Sequence, residues 1–377
     1  MAQLVERGLL NYSNPIANYW PEFAAQLKGS ITVAQMLKHE GGMPHLHLPV
    51  SYEDLMAANL ANGKVAAVLA QQSPLYPVAT PREYHNLTAG WVINEVFRRQ
   101  APNNESLGAW LDREIARPLA ADVFMGTSSS VNERIATLSA MSQNQALFQS
   151  LLPKFLGSQI DYNILIFWKL LSSFNKRFVE PDPRGYVHDI PGDPSGDPTS
   201  LFVNFMNSAA WRESESPHGN VHASARGLAK VAAAMANRGT LGDTRLLSEA
   251  GWEQLHANST VEVDAAMGRC RTQFTQGGVN MFLDYEDDCL SERVFKSGRD
   301  GFVGWLGFGG SVMQWHPARN IGFGYTVTML SWWDLVNTNG RKLQKEVVKC
   351  ANNTQLKAAQ IHKTVDVNNN SSIATPA

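Results

Sequence analysis

Two side chains in the sequence have types and spacing that could perform hydrolysis. Ser173 and Lys176 form an S-x-x-K pattern, which places a serine hydroxyl and a lysine amine on one face of a helix. Such a pair can act as nucleophile and base toward a carbonyl carbon. With 28 serines and 13 lysines in 377 residues, about one such match arises by chance. We therefore do not assign Ser173 as a nucleophile.

A second motif, Tyr84-His85-Asn86, precedes a stretch with helical periodicity over residues 87–99. A tyrosine held beside a positive charge at the mouth of a helix becomes a better proton acceptor. By itself the Y-x-N pattern is common, and a tyrosine that only packs is the simpler interpretation. The motif therefore gains weight only from its surroundings in the chain.

Other motifs for catalysis or binding are missing from the sequence. Neither of the glycine-rich phosphate-binding patterns occurs, and neither does the G-x-S-x-G elbow of α/β-hydrolases. The pairs His45-x-His47 and His218-x-x-x-His222 have spacings that metal ligands use, but no carboxylate accompanies them at a diagnostic offset. We therefore expect no bound metal and no cofactor.

The composition narrows the class of protein. The 377 residues carry a formal net charge of −2, with 44% hydrophobic and 18% charged residues, which is typical of a globular chain that handles small molecules. This balance gives no electrostatic reason to expect nucleic acid or an anionic membrane as a partner. The longest apolar stretch, over 163–171, is interrupted by Lys169 and is too short to span a bilayer. Nothing in the sequence indicates the cellular compartment.

The elements that must position these side chains fall into a helical part and a sheet. Periodicity predicts helices over 31–38, 87–99, 106–116 and 223–237, and β-forming residues over 308–315 and 321–330 predict an antiparallel hairpin. A closing helix around 343–351 follows. The predicted organisation is a mainly helical lobe over 1–258, an antiparallel sheet with its closing helix over 259–362, and a disordered tail over 363–377.

Several segments of the chain follow one another in a characteristic order and spacing. They are Leu-Val-Glu-Arg-Gly-Leu-Leu over 4–10, Pro-Ile-Ala-Asn-Tyr-Trp-Pro-Glu-Phe over 15–23, 31–39 with Gly42-Met43-Pro44, the Tyr84 motif with its helix, 107–126, Asn-Val-His-Ala-Ser-Ala-Arg over 220–226 with the helix after it, 240–248 and the final glycine-rich strand pair. In this order and spacing, most of the chain resembles the serine β-lactamase-related family, which includes class C β-lactamases, penicillin-binding-protein-like hydrolases and esterases, and β-lactamase-like animal proteins. Only residues 127–200 show little likeness, and their role is open. The resemblance implies an α+β fold of the β-lactamase/transpeptidase type, in which a helical lobe adjoins an antiparallel sheet flanked by helices.

The resemblance also implies roles for individual residues. In the family a serine attacks the substrate carbonyl, a lysine and a tyrosine share the proton transfers, and a K-T-G or H-x-G strand borders the site. By position, Tyr84 is the catalytic tyrosine and Asn86 its substrate-facing companion, while Asn220 and His222 fall near the rim of the cleft. Counting back twelve residues from Pro317 puts Trp305 and Gly307 at the strand motif, so a tryptophan stands where relatives have a cation or imidazole. The K-S-G tripeptide at Lys296 lies 21 residues before Pro317, which is too far to match.

The departures from the family pattern shape the functional expectation. Relatives carry S-x-x-K about ten residues before the position of Met1, so we expect this chain to be N-terminally truncated, without the first helix and two strands of the fold. The strand predicted over 321–330 would then have an open edge through which copies could associate. We expect a serine-hydrolase family member for small esters or amides that is itself inactive. The alternative is a non-enzymatic, β-lactamase-like protein retained for binding or assembly.

Overall fold

A six-stranded antiparallel sheet dominates the C-terminal part of the chain in the computed structural model. Its strands are β8 (Thr260–Val263), β9 (Arg271–Phe274), β10 (Asn280–Met281), β11 (Val303–Leu306), β12 (Val312–His316) and β13 (Ile321–Tyr325). Their order in the sheet is β13-β12-β11-β10-β9-β8, so each strand pairs with its neighbours in sequence, as in a meander. The structure describes residues 1–76, 82–85, 88–140, 148, 151–156, 187–188, 198–267, 269–282, 295–307, 309–330 and 337–353.

Helices and short strand pairs make up the rest of the described chain. The α-helices are α1 (Ala2–Glu6), α2 (Val33–Leu37), α3 (Ala57–Ala61), α4 (Lys64–Gln71), α5 (Thr88–Gln100), α6 (Leu107–Leu111), α7 (Ser129–Asn132), α8 (Pro198–Asn207), α9 (Ala209–Glu213), α10 (Ala225–Ala236), α11 (Glu249–His256) and α12 (338–353). The short strands pair as β1 (Val50–Ser51) with β4 (Val187–His188), β2 (Val123–Phe124) with β5 (His222–Ala223), β3 (Ser139–Ala140) with β14 (Met329–Leu330), and β6 (Thr240–Leu241) with β7 (Thr244–Arg245).

The hairpin expected near the C-terminus is present, with different bounds. Its strands are β12 and β13, which pair from Val312 opposite Tyr325 to His316 opposite Ile321. Between them Pro317–Arg319 form one 3₁₀ turn, and Asn320 closes it with φ of 52°, a conformation that asparagine tolerates. The second strand was predicted to continue to 330. Instead it stops at Tyr325, and Met329 and Leu330 pair with β3.

Helix α10 packs closely against the outermost strand because that strand offers glycine. A Cβ atom on Gly322 would lie 2.2 Å from the backbone nitrogen of Ala233, and one on Gly324 would lie 2.4 Å from the carbonyl oxygen of Ala225. Only glycine permits such an approach of helix to sheet. The helix begins where Ser224 caps it by accepting the Gly227 amide at 3.0 Å, as favoured at N-caps.

Helix α12 covers the opposite face of the sheet. Val348 and Ala351 pack against a cluster that contains Ile321 and Phe323, and the buried amide of Gln344 meets that of Gln314 on β12. Within the described residues β13 has a paired neighbour only on its β12 side. The open edge expected from the sequence stays a prediction.

The helical part is organised around α5, which is buried over most of its length. Trp91, Val92 and Phe97 belong to a core that also contains Trp20 and Phe23. At the last turn Arg98 and Arg99 pair with the buried carboxylate of Glu95 at 2.9 and 2.7 Å, where their charges also suit the negative end of the helix dipole. Helix α5 therefore forms a rigid base directly after the Tyr84 motif.

Several expectations fall on residues outside those described. They concern Asn86, the Ser173–Lys176 match, most of 127–200 and the tail over 363–377. Among the described residues, no helix combines the length and the apolar character needed to cross a membrane.

Candidate active site around Tyr84

The segment over 82–85 is anchored to the sheet through a buried arginine. One terminal nitrogen of the Arg82 guanidinium donates to the carbonyl oxygens of Thr260 and Thr272, at 3.0 and 2.7 Å. The other donates to the Thr260 hydroxyl at 2.6 Å and forms an ion pair with Glu40. Since Thr260 lies on β8 and Thr272 on β9, this side chain fixes the start of the motif to two strands at once.

A buried aspartate holds the backbone of Tyr84 itself. Oδ1 of Asp264, the residue after β8, accepts the backbone N–H groups of Tyr84 at 3.1 Å, Ala266 at 3.0 Å and Met267 at 3.3 Å. Asp264 is fully buried, and burial raises the pKa of its carboxyl group to about 6, against the opposing effect of these hydrogen bonds. Tyr84 is therefore tied to the turn that follows β8.

The ring of Tyr84 contacts two other aromatic side chains. The indole of Trp305 stacks with it, with centroids 5.4 Å apart and planes 25° apart. The imidazole of His39 lies at 4.4 Å between centroids, with its plane tilted by 50°. Burial raises the pKa of Tyr84 far above its usual value, and the nearby charge of Asp264 acts in the same direction, while the interaction with the Trp305 side chain lowers it. Tyr84 is therefore a neutral phenol at pH 7.

Two further histidines, His85 and His218, lie next to His39. The Met43 amide donates to Nε2 of His85 at 2.9 Å, and the His85 amide donates to Nδ1 of His39 at 3.1 Å. The ring of His218 lies 5.5 Å from that of His39 and 6.5 Å from that of Tyr84. Burial lowers the pKa of His85 and of His218 to about 4, and that of His39 well below its usual value. All three imidazoles are therefore neutral near pH 7.

The structure brings Trp305 next to Tyr84 from a distant part of the chain. Trp305 lies on β11 opposite Met313, and its ring also contacts those of Phe274, Phe282 and Phe295, at 5.0, 6.4 and 5.9 Å. The second residue named for the strand motif, Gly307, directly follows β11, and its N–H donates to the Ser311 carbonyl at 2.7 Å.

Asn220 and His222, predicted from the resemblance to lie near the cleft, make their described contacts away from Tyr84. The Asn220 side chain is buried and holds its own loop, since Oδ1 accepts the Ser216 amide at 2.9 Å and Nδ2 donates to the Trp211 carbonyl at 2.8 Å and to the Ser214 hydroxyl at 2.8 Å. His222 is half-buried on β5, opposite Phe124 on β2. Neither side chain has a ring contact or hydrogen bond with Tyr84 in the described structure, and their placement at the rim of the cleft stays a prediction.

Sequence reasoning did not select His39, Asp264 and His218 as neighbours of Tyr84. Two signals were available, because His39 directly precedes the Glu40-Gly41-Gly42 turn and Asp264 directly follows a run of β-forming residues. Neither signal reveals a contact that spans 180 positions, as between Tyr84 and Asp264.

No metal site is apparent in the described ranges, where no three His, Cys, Asp or Glu side chains come together in a way that could hold an ion. A surface cavity of about 530 Å³ lies elsewhere, lined by Arg7, Pro102, Asn103, Glu105 and Arg113. It shares no residue with the Tyr84 cluster.

Comparisons with known proteins agree with this architecture. The curated esterase/beta-lactamase LipL of Mycobacterium tuberculosis is 29% identical over 120 residues, which are 32% of this chain and 26% of LipL, so the match spans about a quarter of that relative. Among solved structures, a penicillin-binding protein homologue from Caulobacter crescentus is 24% identical with a TM-score of 0.64, and the match covers 93% of this chain and 79% of the homologue. A family VIII carboxylesterase is 24% identical with a TM-score of 0.65, and the match covers 91% of this chain and 79% of the esterase.

These structural likenesses establish the expected α+β fold of helices and antiparallel sheet. The family is established by a sequence model, described as Beta-lactamase, that matches residues 1–344. That match includes Tyr84, Asp264 and Trp305, which come together in the site described above. On this basis the chain belongs to the beta-lactamase family.

Proposed function

We propose that the site around Tyr84 is that of a serine hydrolase for small esters or amides, with Tyr84 at the position of the family's proton-transfer residue. We further propose that the 377-residue polypeptide does not itself form an acyl-serine. The observation that carries both statements is the stacking of Tyr84 on Trp305, in which the phenol is held in place and is neutral. Membership of the beta-lactamase family supports the reaction class.

The electrostatics around Tyr84 support the second statement. Activating a serine requires a base that takes the hydroxyl proton, and a phenol does this only when a nearby cation lowers its pKa. In the described structure the groups that shift the pKa of Tyr84 are Trp305 and Asp264, besides burial itself. The charge of Asp264 favours the neutral phenol, so Tyr84 is poorly suited to accept a proton near pH 7.

Turnover of 4-nitrophenyl esters by the purified 377-residue protein tests this proposal. We expect rates equal to those of a heat-unfolded sample, and the same rates for Tyr84→Phe and Ser173→Ala. Turnover that is lost in Ser173→Ala would show that S-x-x-K at 173–176 supplies the nucleophile and would refute the inactive state. Turnover that survives in Ser173→Ala but is lost in Tyr84→Phe would refute it as well, while confirming the role of Tyr84.

The alternative is a protein that keeps the fold for binding or assembly. Trp305 supports this alternative, because an indole packs on Tyr84 and the family resemblance implies a cationic or imidazole side chain at this position. Titration with 4-nitrophenyl esters, followed by tryptophan fluorescence, would separate binding from turnover. Saturable quenching that is lost in Trp305→Phe, without product formation, would favour the binding function.

We also propose that copies of this polypeptide associate through the edge of β13. On α12, Arg341 and Lys345 lie beside Gly298, which precedes β11. Because Leu343 and Val347 project from the opposite flank of this helix, they lie toward β13. Their side chains are 51% and 38% exposed. An unpaired strand flanked by exposed apolar side chains is a template for pairing with a second copy.

A further inference from the structure

Two hydrogen bonds join the Tyr84 segment to the turn after β8. The Tyr84 amide donates to Asp264 Oδ1 at 3.1 Å, and the Ala265 amide donates to the Arg82 carbonyl at 2.9 Å. The turn itself is closed, since the Asp264 amide donates to the Cys270 carbonyl at 3.0 Å and the Arg269 amide donates to the Asp264 carbonyl at 3.1 Å. A rigid turn thus presents its carboxylate to the backbone of Tyr84.

An aspartate at this position is energetically unfavourable unless it has a task. Burial of a carboxylate costs free energy that hydrogen bonds must offset. Oδ1 of Asp264 accepts three backbone amides, whereas Oδ2 is buried without a hydrogen-bond partner in the described structure. The charged group that faces it is Arg82, and the titratable ring of Tyr84, neutral at pH 7, also lies close to it.

The stacking of Tyr84 depends on this anchor, because its two partners come from different parts of the chain. Trp305 is fixed by β11 within the sheet, whereas Tyr84 lies in a segment without regular secondary structure. The segment reaches the sheet through Arg82 and Asp264. Of these two anchors, only Asp264 binds the backbone of Tyr84 itself.

We propose that Asp264 is a positioning residue for Tyr84, which holds the phenol in register with Trp305 through the Tyr84 backbone amide. The inference rests on the proposed function for the role of Tyr84 in proton transfer. Proton transfer depends on placement, and an error of about 1 Å can change a rate by about a hundredfold. The side chain at position 264 therefore controls the geometry of the candidate site without contacting a substrate.

The test places 3-fluorotyrosine at position 84 by amber suppression and records its ¹⁹F resonance. In the protein with Asp264 and in Asp264→Asn, which keeps the accepting oxygen, we expect one narrow resonance at one position. In Asp264→Ala we expect a resonance shifted by more than its linewidth or split in two. Ser224→Ala is the matched control, because it removes a comparable side-chain acceptor, that of Gly227, and should leave the resonance unchanged. An unchanged resonance in folded Asp264→Ala would overturn the proposal.

A second measurement decides the case if Asp264→Ala does not fold. In Asp264→Asn the acceptor is neutral and therefore weaker, so hydrogen exchange at the Tyr84 amide should accelerate several-fold while exchange at the Gly227 amide stays constant. Equal exchange at Tyr84 in both proteins would overturn the proposal. The fluorine resonance and the amide exchange do not depend on turnover. They can therefore refute the role of Asp264 without refuting the proposed function, and the ester-hydrolysis test can refute that function without refuting the role of Asp264.

Discussion

The indole of Trp305 and the phenol of Tyr84 stack at 5.4 Å, although 220 residues separate them in the chain. The contact joins a strand of the sheet to the segment that precedes α5, and its ring on that segment belongs to the tyrosine that the family resemblance assigns to proton transfer. Burial among such neighbours raises the pKa of Tyr84.

Replacing Trp305 should expose Tyr84. In Trp305→Ala the burial that raises the pKa of Tyr84 is relieved. Because burial is the largest cause of the shift, this outweighs the loss of the Trp305 interaction that lowers the pKa, and we expect the pKa to move down toward that of an ordinary tyrosine. The cavity should also lower the free energy of unfolding by about 3 kcal/mol. Absorbance at 295 nm during an alkaline titration, taken as the difference from the matching Tyr84→Phe protein, measures the ionisation. Trp305→Phe is the control, since it keeps a stacked ring. Equal ionisation in the alanine and phenylalanine variants would contradict the assignment.

The buried histidines should destabilise the protein in acid. His218 has a folded-state pKa of about 4, below the value of about 6.5 in an unfolded chain. A histidine with a lowered pKa contributes stability above pH 6.5 that is lost as the pH falls toward 4. Urea unfolding of the original protein and of His218→Gln measures the free energy of unfolding of each. As the pH falls from 7.5 to 4.5, the original protein should lose about 2 kcal/mol of this free energy relative to the variant. Parallel curves would mean that His218 is not buried as described.

Asp264 should have the opposite pH dependence. Its pKa is raised to about 6, above that of an unfolded aspartate, so its contribution is fully present at low pH and is lost as the pH rises through 6. As the pH falls from 7.5 to 5, the free energy of unfolding of the original protein should rise by about 1 kcal/mol relative to that of Asp264→Asn. Asp122→Asn is a control of opposite sign, because Arg134 lowers the pKa of that exposed carboxyl group. A difference that does not vary with pH would show that Asp264 keeps an ordinary pKa.

Self-association should depend on the apolar flank of α12. We expect the 377-residue protein to form dimers or larger species at tens of micromolar, and Leu343→Lys/Val347→Lys to restore a mass of 41.5 kDa by light scattering after size exclusion. The charges would oppose apposition of two copies at the β13 edge. Leu27→Lys is the control, since Leu27 is a highly exposed leucine elsewhere. A monomeric parent protein, or a double variant that associates equally, would refute this interface.

Local signals in the sequence predicted a good part of the fold. Helix α10 was recognisable from its periodicity and from Gly239 just past its end, and the β12–β13 hairpin from β-forming residues on both sides of Pro317. The end of β13 was not predictable, because Met329 and Leu330 are as apolar as a continuing strand and pair with β3 only in the folded chain.

The candidate site was less accessible to sequence reasoning. Tyr84 and Trp305 were selected only through the family resemblance, since no local pattern distinguishes them from tyrosine and tryptophan residues that pack in a core. The anchoring contacts of Asp264 and Arg82 join positions about 180 residues apart, and such pairings follow from the register of the sheet. The Asn220 side chain is engaged by its own loop, which the residue type alone does not reveal.

The central claim, that this polypeptide carries a positioned but protonated Tyr84 and forms no acyl-serine, is tested most directly by intact-mass spectrometry after incubation with a fluorophosphonate. Such probes form a stable adduct only with an activated serine hydroxyl. We expect the folded 377-residue protein to keep its unmodified mass at pH 7.5 under conditions that label an active serine hydrolase completely. A stoichiometric adduct on any serine of this chain would contradict the account.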